Sequence, residues 1–269
     1  MKSAVTISLV PEAVGGPFVF WEGLADGCRR AALLGFDAIE IFPASAAAID
    51  VGLLEKLLRV HNLKLAAVGT GAGWLLHKWS LTHWDTEVRA KARAFVREIM
   101  GVAARFGAPA IIGSIQGRIE GEVTRSQALN WLTESLNQLC DAGPSEARLL
   151  CEPLNRYETN LLNRLEQGAE VLESAGNRRV KLLADLFHMN IEERSIPDAL
   201  RACAKYIGHV HFADTNRRAV GFGHTDMVPI FQALRDIGYN GCLSAEILPL
   251  PDSEKAARQT IESFRKFAT

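Results

Sequence analysis

"VRAKARAFVREIMGVAARFGAPAIIG", residues 88–113, sets two periodicities end to end. As far as Phe106 its apolar residues return at three- and four-residue steps, which is one face of a helix, while "APAIIG" (108–113) is a short β-rich run. The stretch predicts a helix that delivers the chain into a strand. Before it lie similar β-rich runs at "AVTISLV" (4–10), "DAIEIF" (37–42) and "LKLAAVG" (63–69). After it come "ARLLCE" (147–152), "VKLLAD" (180–185), "GHVHFAD" (208–214) and "CLSAEI" (242–247). Helical spacing fills the intervals, as in "LLEKLLRVH" (53–61), "NWLTESLNQLC" (130–140), "LEQGAEVLESA" (165–175) and "MVPIFQALRDI" (227–237). Alternation of this kind predicts a parallel sheet. Eight units at a mean step of roughly thirty residues predict an α/β fold, a (β/α)8 TIM barrel. No Pro/Gly/Ser-rich linker or low-complexity tract divides the chain, so residues 1–269 are expected to form a single domain. A doubly wound open sheet is the alternative. It would prefer fewer units and a phosphate loop after the first strand, where this chain has only "PEAVGG" (11–16).

Composition narrows the function classes. A formal net charge of −1 gives no basic field to collect nucleic acid or an anionic membrane, so neither is expected as a partner. The five cysteines, Cys28, Cys140, Cys151, Cys203 and Cys242, are scattered and form no CxxC pair, which fits reduced thiols in a cytoplasm. The first residues read as a strand cut off by Pro11 and Glu12 rather than as a signal peptide, and no apolar run is long enough to span a membrane.

Barrels of this kind place their active sites at the C-terminal ends of the strands. The first four ends are quiet: Val10–Glu12, Phe42–Pro43, Gly69–Thr70 and Gly113–Ser114. The last four carry Glu152, Asp185, His211 and Glu246. Any one of these alone reads as a salt-bridge partner, but four at consecutive strand ends would crowd like charges into one mouth. A divalent cation resolves that repulsion. Three carboxylates and one imidazole suit six-coordinate Mn²⁺, with Mg²⁺, Co²⁺ or Zn²⁺ as alternatives, and leave about two positions for substrate oxygens. A cation that polarises a ketone acidifies the neighbouring C–H. Glu152 and Glu246, three strands apart, could then exchange protons with opposite faces of that carbon, giving an epimer through an enediolate. A single working base would instead interconvert aldose and ketose.

Around these four, His188 and Glu158 could bind substrate oxygens. Arg217 could do so too, or could clamp Asp185 or Asp214. Asn155, Asn160 and Asn216 read as turn formers or ligands, His209 as a packed core histidine, and Asp226 as a helix cap. The aromatic stretch "GAGWLLHKWSLTHW" (71–84), read as a loop, is either a lid over the site or an oligomer contact; Trp131 likewise fits either packing or an interface. Gln116 and Arg118 could meet a distal carboxylate or hydroxyl, or simply be solvated.

"CEPLNRYETN", "ADLFHMNIEE", "HVHFADTNR", "GFGHTD" and "SAEI", in this order along the chain, strongly resemble the sugar epimerases of the xylose-isomerase-like barrel superfamily, a group that includes the D-tagatose/D-allulose 3-epimerases. The stretches "GTGAGWLLHKWSLTH" and "IIGSIQGR" are most similar to the 5-keto-L-gluconate epimerases, which act on a keto-sugar acid and form tagaturonate. The resemblance implies metal ligation by Glu152, Asp185, His211 and Glu246, acid–base roles for Glu152 and Glu246, and substrate contacts from Glu158, His188 and Arg217. It also implies a homo-oligomer, a dimer or a tetramer. Val220 and Leu186 depart from the group's usual residues, proline and a polar residue, near the pocket. Hydroxypyruvate isomerases and inosose-processing enzymes share the same metal logic. Abasic-site endonucleases share Glu152, Asp185, His188 and His211 but use three zinc ions. Those ions would need further histidines at the third and fourth strand ends, where this chain has Gly69–Thr70 and Gly113–Ser114. A non-catalytic sugar-binding barrel would not need two opposed glutamates.

Overall fold

Eight strands close into one parallel barrel in chain order, with the first paired to the last. They are β1 (Lys2–Ser8), β2 (Ala38–Phe42), β3 (Lys64–Gly69), β4 (Ala110–Ile112), β5 (Leu149–Cys151), β6 (Val180–Asp185), β7 (Ile207–His211) and β8 (Cys242–Ala245). Outside them run α1 (Gly23–Leu34), α2 (Val51–Val60), α3 (Ala72–His77), α4 (Thr86–Ala104), α5 (Arg125–Ala142), α6 (Leu165–Ala175), α7 (Leu186–Glu192), α8 (Ile196–Ala202), α9 (Met227–Asp236) and α10 (Ser253–Ala268). The structure, a computed structural model, describes residues 1–268.

Strand alternation builds two separate apolar regions. Val5, Ile7, Ile39, Ile41, Val210 and Leu243 face outward into the large core beneath the helices. Inward, Ala4, Ala38 and Ala66 form one small interior cluster, and Ala67, Ile111, Leu150 and Leu183 another. The helices meet the outer face by their stripes. In α4 the buried residues Ala92, Phe95, Val96, Ile99, Met100 and Ala103 step by three and one, and Asp85 caps the N-terminus by accepting from Glu87 N at 2.8 Å. Leu54 and Leu58 do the same for α2, and burying such a side chain contributes about 1.5–3 kcal/mol.

Some boundaries differ from the sequence reading, with identifiable causes. The periodic window 130–140 extends back to Arg125 because Thr124 and Gln127 form a reciprocal capping box, which apolar spacing does not register. Strands four, five and eight are shorter than their apolar runs, so Glu152 and Glu246 stand one residue past the ladder. Residues 71–84, read as a loop, contain α3. That helix has no side-chain N-cap and is held by packing: a Cβ on Gly73 would come within 2.6 Å of Ile115 Cδ1 and 3.0 Å of Phe95 Cδ1. The five thiols are unpaired, and burial pushes Cys151 up to about 12. No helix among the described residues is long and apolar enough to cross a membrane.

Candidate active site

The barrel delivers Glu152, Asp185, His211 and Glu246 to one point. Asp185 and His211 are the last residues of β6 and β7, and Glu152 and Glu246 follow β5 and β8 directly. One ligand atom from each lies within 4.8 Å of all the others. His211 Nδ1 is at the centre, 3.2 Å from Asp185 Oδ2, 3.3 Å from Glu152 Oε1 and 3.6 Å from Glu246 Oε2. Asp185 divides its work: Oδ1 caps α7 by accepting from Phe187 N (2.7 Å) and His188 N (3.2 Å), which leaves Oδ2 for the centre. Glu152 is held by its own N–H, which donates to Ile112 O at 3.0 Å, and by the missing side chain of Gly113. A Cβ there would sit 2.5 Å from Glu152 Oε2.

The electrostatics are those of a cluster that could hold a cation. Glu152 Oε1 is buried and has no hydrogen-bond partner. Burial, reinforced by Glu152 and Asp185, pushes the Glu246 carboxyl up to about 7 despite His211 and Arg217. Burial alone would depress the His211 imidazole, yet Glu40, Glu246 and the other carboxylates raise it well above its ordinary value. Asp185 is held low by His188, His211 and Arg217 against the opposing effect of burial. An imidazole among three carboxylates holds a proton where a divalent ion would sit, and the O,O,O,N donor set fits such an ion.

His188, Arg217 and Glu158 form a second ring. The Tyr157 N–H donates to Asn155 Oδ1 (2.9 Å), which fixes the amide and turns Nδ2 toward His188 Nδ1 at 2.8 Å and Glu158 Oε1 at 3.0 Å. His188 Nδ1 is therefore an acceptor, and Nε2 carries the proton. That Nε2 is buried without a partner, 3.6 Å from Asp185 Oδ2 and 4.0 Å from Glu152 Oε1, and is available to a ligand. Arg217 contacts Glu246 Oε2 at 2.5 Å and Glu158 Oε1 at 3.1 Å, while Asp185 Oδ2 is 3.9 Å away. Its backbone is left-handed (φ 55°), which an arginine adopts only when its surroundings impose it. Asp214 supplies that constraint. Its carboxylate accepts from the N–H groups of Thr215, Gly221, Gly223 and Thr225 at 2.8–3.0 Å, and its carbonyl accepts from Arg217 N at 2.9 Å.

Other residues take structural places. Asp226 caps α9 through Val228 N. Asn160 and Asn216 tie loops by bonding Ile119 and Phe222. Gln116 donates to Gly113 O and Glu152 O. Val220 and Leu186 are buried in the outer core and do not line the cavity. Within 71–84, Trp74 and Leu75 line the site, Trp79 packs on Phe95, and Trp84 is exposed. The Arg89 guanidinium covers Trp131 at 4.2 Å.

The reading of strand ends missed Glu40, two residues before the end of β2. It is buried, and its oxygens meet His209 Nε2 at 2.9 Å and His211 Nε2 at 3.2 Å. A carboxylate between Ile39 and Ile41, on the inward face of an otherwise apolar strand, was the available signal. His209, expected as a packed core histidine, is its partner.

Above the centre opens a cavity of about 440 Å³. Its other wall is mostly apolar, built from Val14, Phe18, Phe42, Trp74 and Leu75, with the Phe18 and Phe42 rings stacked at 4.4 Å, and carries Glu12, Thr70 and Ser114 as polar residues. Among the described residues, Arg217 is the single lysine or arginine on its lining, against Glu12, Glu40, Glu152, Glu158 and Glu246.

The sequence and fold have counterparts among known proteins. A family model of xylose isomerase-like TIM barrels matches residues 28–267. The D-psicose 3-epimerase of Ruminiclostridium cellulolyticum is 30% identical over 228 residues, 81% of this chain and 76% of that protein. The L-ribulose 3-epimerase of Methylomonas sp. is 30% identical over 243 residues, 86% of this chain and 83% of that protein. The crystal structure of D-allulose 3-epimerase from Methylomonas sp. in complex with D-allulose aligns with a TM-score of 0.81 at 25% identity, covering 99% of this chain and 98% of that one. The chain belongs to the xylose isomerase-like TIM barrel family, and its relatives there include sugar 3-epimerases.

Proposed function

We propose that this protein is a divalent-metal-dependent epimerase that inverts the carbon next to the ketone of a sugar. The observation that carries the reading is the convergence of Glu152, Asp185, His211 and Glu246 within 4.8 Å, with two of the carboxylates arriving from strands three steps apart. A bound cation, Mn²⁺ by preference, would polarise the ketone oxygen and acidify the adjacent C–H. Glu152 and Glu246 take a proton from one face of that carbon and return one to the other, through an enediolate. His188 Nε2–H donates to a substrate oxygen, and Glu158 and Arg217 hold neighbouring hydroxyls.

The cavity favours a neutral ketose over a keto-sugar acid such as 5-keto-L-gluconate. Its one guanidinium is already shared by Glu158 and Glu246, and the far wall offers an anionic group no cation. Unpaired burial of a carboxylate there would cost several kcal/mol. The working form is read as a homo-oligomer in the cytoplasm.

Incubation with Mn²⁺ in D₂O, with neutral ketoses and keto-sugar acids followed by NMR, tests the whole reading. Deuterium at an inverted carbon beside the ketone, in neutral ketoses, is the expected result. Formation of an aldose would make the enzyme an isomerase, and no exchange with any substrate would refute the catalytic assignment.

A further inference from the structure

We infer that Glu40 is a positioning residue, one that presents the His211 Nδ1 lone pair to the carboxylate cluster by accepting a hydrogen bond from the Nε2–H. The inference rests on the reading of that cluster as a cation site and adds to it a residue from the opposite side of the barrel. An imidazole has two nitrogens, and only a nitrogen without a proton can bind a metal ion. His211 Nδ1 points at Glu152, Asp185 and Glu246, while Nε2 lies 3.2 Å from Glu40 Oε1. Placing the single proton of a neutral ring on Nε2 satisfies both sides. Glu40 is itself fixed, because its other oxygen meets His209 Nε2 at 2.9 Å. Both imidazoles and the carboxylate are fully or almost fully buried, so water does not compete for these bonds. The chain from β2 through β7 to the cluster thus works as a carboxylate–histidine–metal relay, an arrangement that orients a ligand and raises its basicity.

Glu40→Gln tests this with metal binding rather than turnover. The amide keeps the volume of the side chain but carries no charge, so it is a weaker acceptor for the His211 Nε2–H than the carboxylate, and in either orientation the basicity that Glu40 lends to the ring is lost. Titration calorimetry with Mn²⁺, well below the unfolding transition, should show affinity lowered by about 10–100-fold against the unsubstituted protein. A purely structural role would lower the unfolding midpoint and leave the affinity of folded protein unchanged. That result would overturn the inference. A second measurement needs no substitution. Co²⁺-loaded protein should show one strongly shifted, solvent-exchangeable N–H proton resonance from the coordinated ring, lost in D₂O; its absence would equally overturn the inference. If the unsubstituted protein binds neither Mn²⁺ nor Co²⁺, the reading of the cluster fails as well, and the two failures are told apart.

Discussion

The two halves of the barrel mouth are built on opposite principles. From β5 to β8 every strand ends in a charged group, all of them within reach of one point. From β1 to β4 the ends carry Phe42, Gly69, Thr70, Gly113 and Ser114, and the loops above add Val14, Phe18, Trp74 and Leu75. The charged half supplies groups that can bind an ion and move protons, and the apolar half shapes the space above it. The division is not complete. Glu40 and Gly113 belong to the quiet half, yet one holds His211 and the other makes room for Glu152. Chemistry at a strand end therefore depends on what the facing strands leave out as much as on what the end itself carries.

This division can be broken or sharpened experimentally. The largest effect is expected in the charged half: Glu152→Gln and Glu246→Gln should each lower kcat by about 10²–10⁴-fold while the protein remains folded. Deuterium wash-in measures the loss, and intact turnover in either variant would remove the paired acid–base reading. Gly113→Ala tests whether the quiet half reaches across. Its methyl group would displace Glu152, so Mn²⁺ affinity and kcat should fall together, kcat by up to about 100-fold, as expected for a catalytic group moved by about an ångström. Calorimetry and kinetics on the same sample check it.

The pH response follows from Glu246. Its raised carboxyl stabilises the metal-free fold below the ordinary carboxylate range, and that contribution is lost as pH rises through about 7. Cation binding needs the ionised form. Mn²⁺ affinity should therefore fall by up to about tenfold per pH unit below that point, with protons released on binding. Calorimetry in buffers of different ionisation enthalpy counts those protons, and a flat profile between about pH 6 and about pH 8 would contradict it. The smallest effect belongs to the apolar half. Leu75→Arg, at a half-exposed position on the cavity wall, should shift kcat/KM toward keto-sugar acids by no more than ~5-fold, the range of an exposed ion pair. An unchanged ratio would mean that the far wall does not select on charge.

Much of this is legible in the sequence. Alternating periodicities fix the barrel because the core of each layer must repeat, and the barrel in turn fixes which residues can meet. Glu152, Asp185, His211 and Glu246 follow from strand ends alone. Glu40 does not, because its role depends on β7 reaching across the interior, and one strand's pattern carries no information about the strand opposite. Helix α3 escaped for a related reason: its stability comes from Gly73 packing on Phe95 and Ile115, contacts made by residues distant along the chain. The tautomer of His188 was equally hidden, since it is set by a backbone N–H acting through Asn155.

The separation of the two halves also has an evolutionary consequence. The residues that shape the far wall come from the first 114 positions, whereas the charged cluster comes from 152–246. Substrate range can therefore drift by mutation in one stretch of the gene without revisiting the other. Positions 40 and 113 bear on the cluster directly, one through His211 and the other through Glu152. They should tolerate far less variation than the aromatic residues beside them, and selection for a new sugar should leave both untouched.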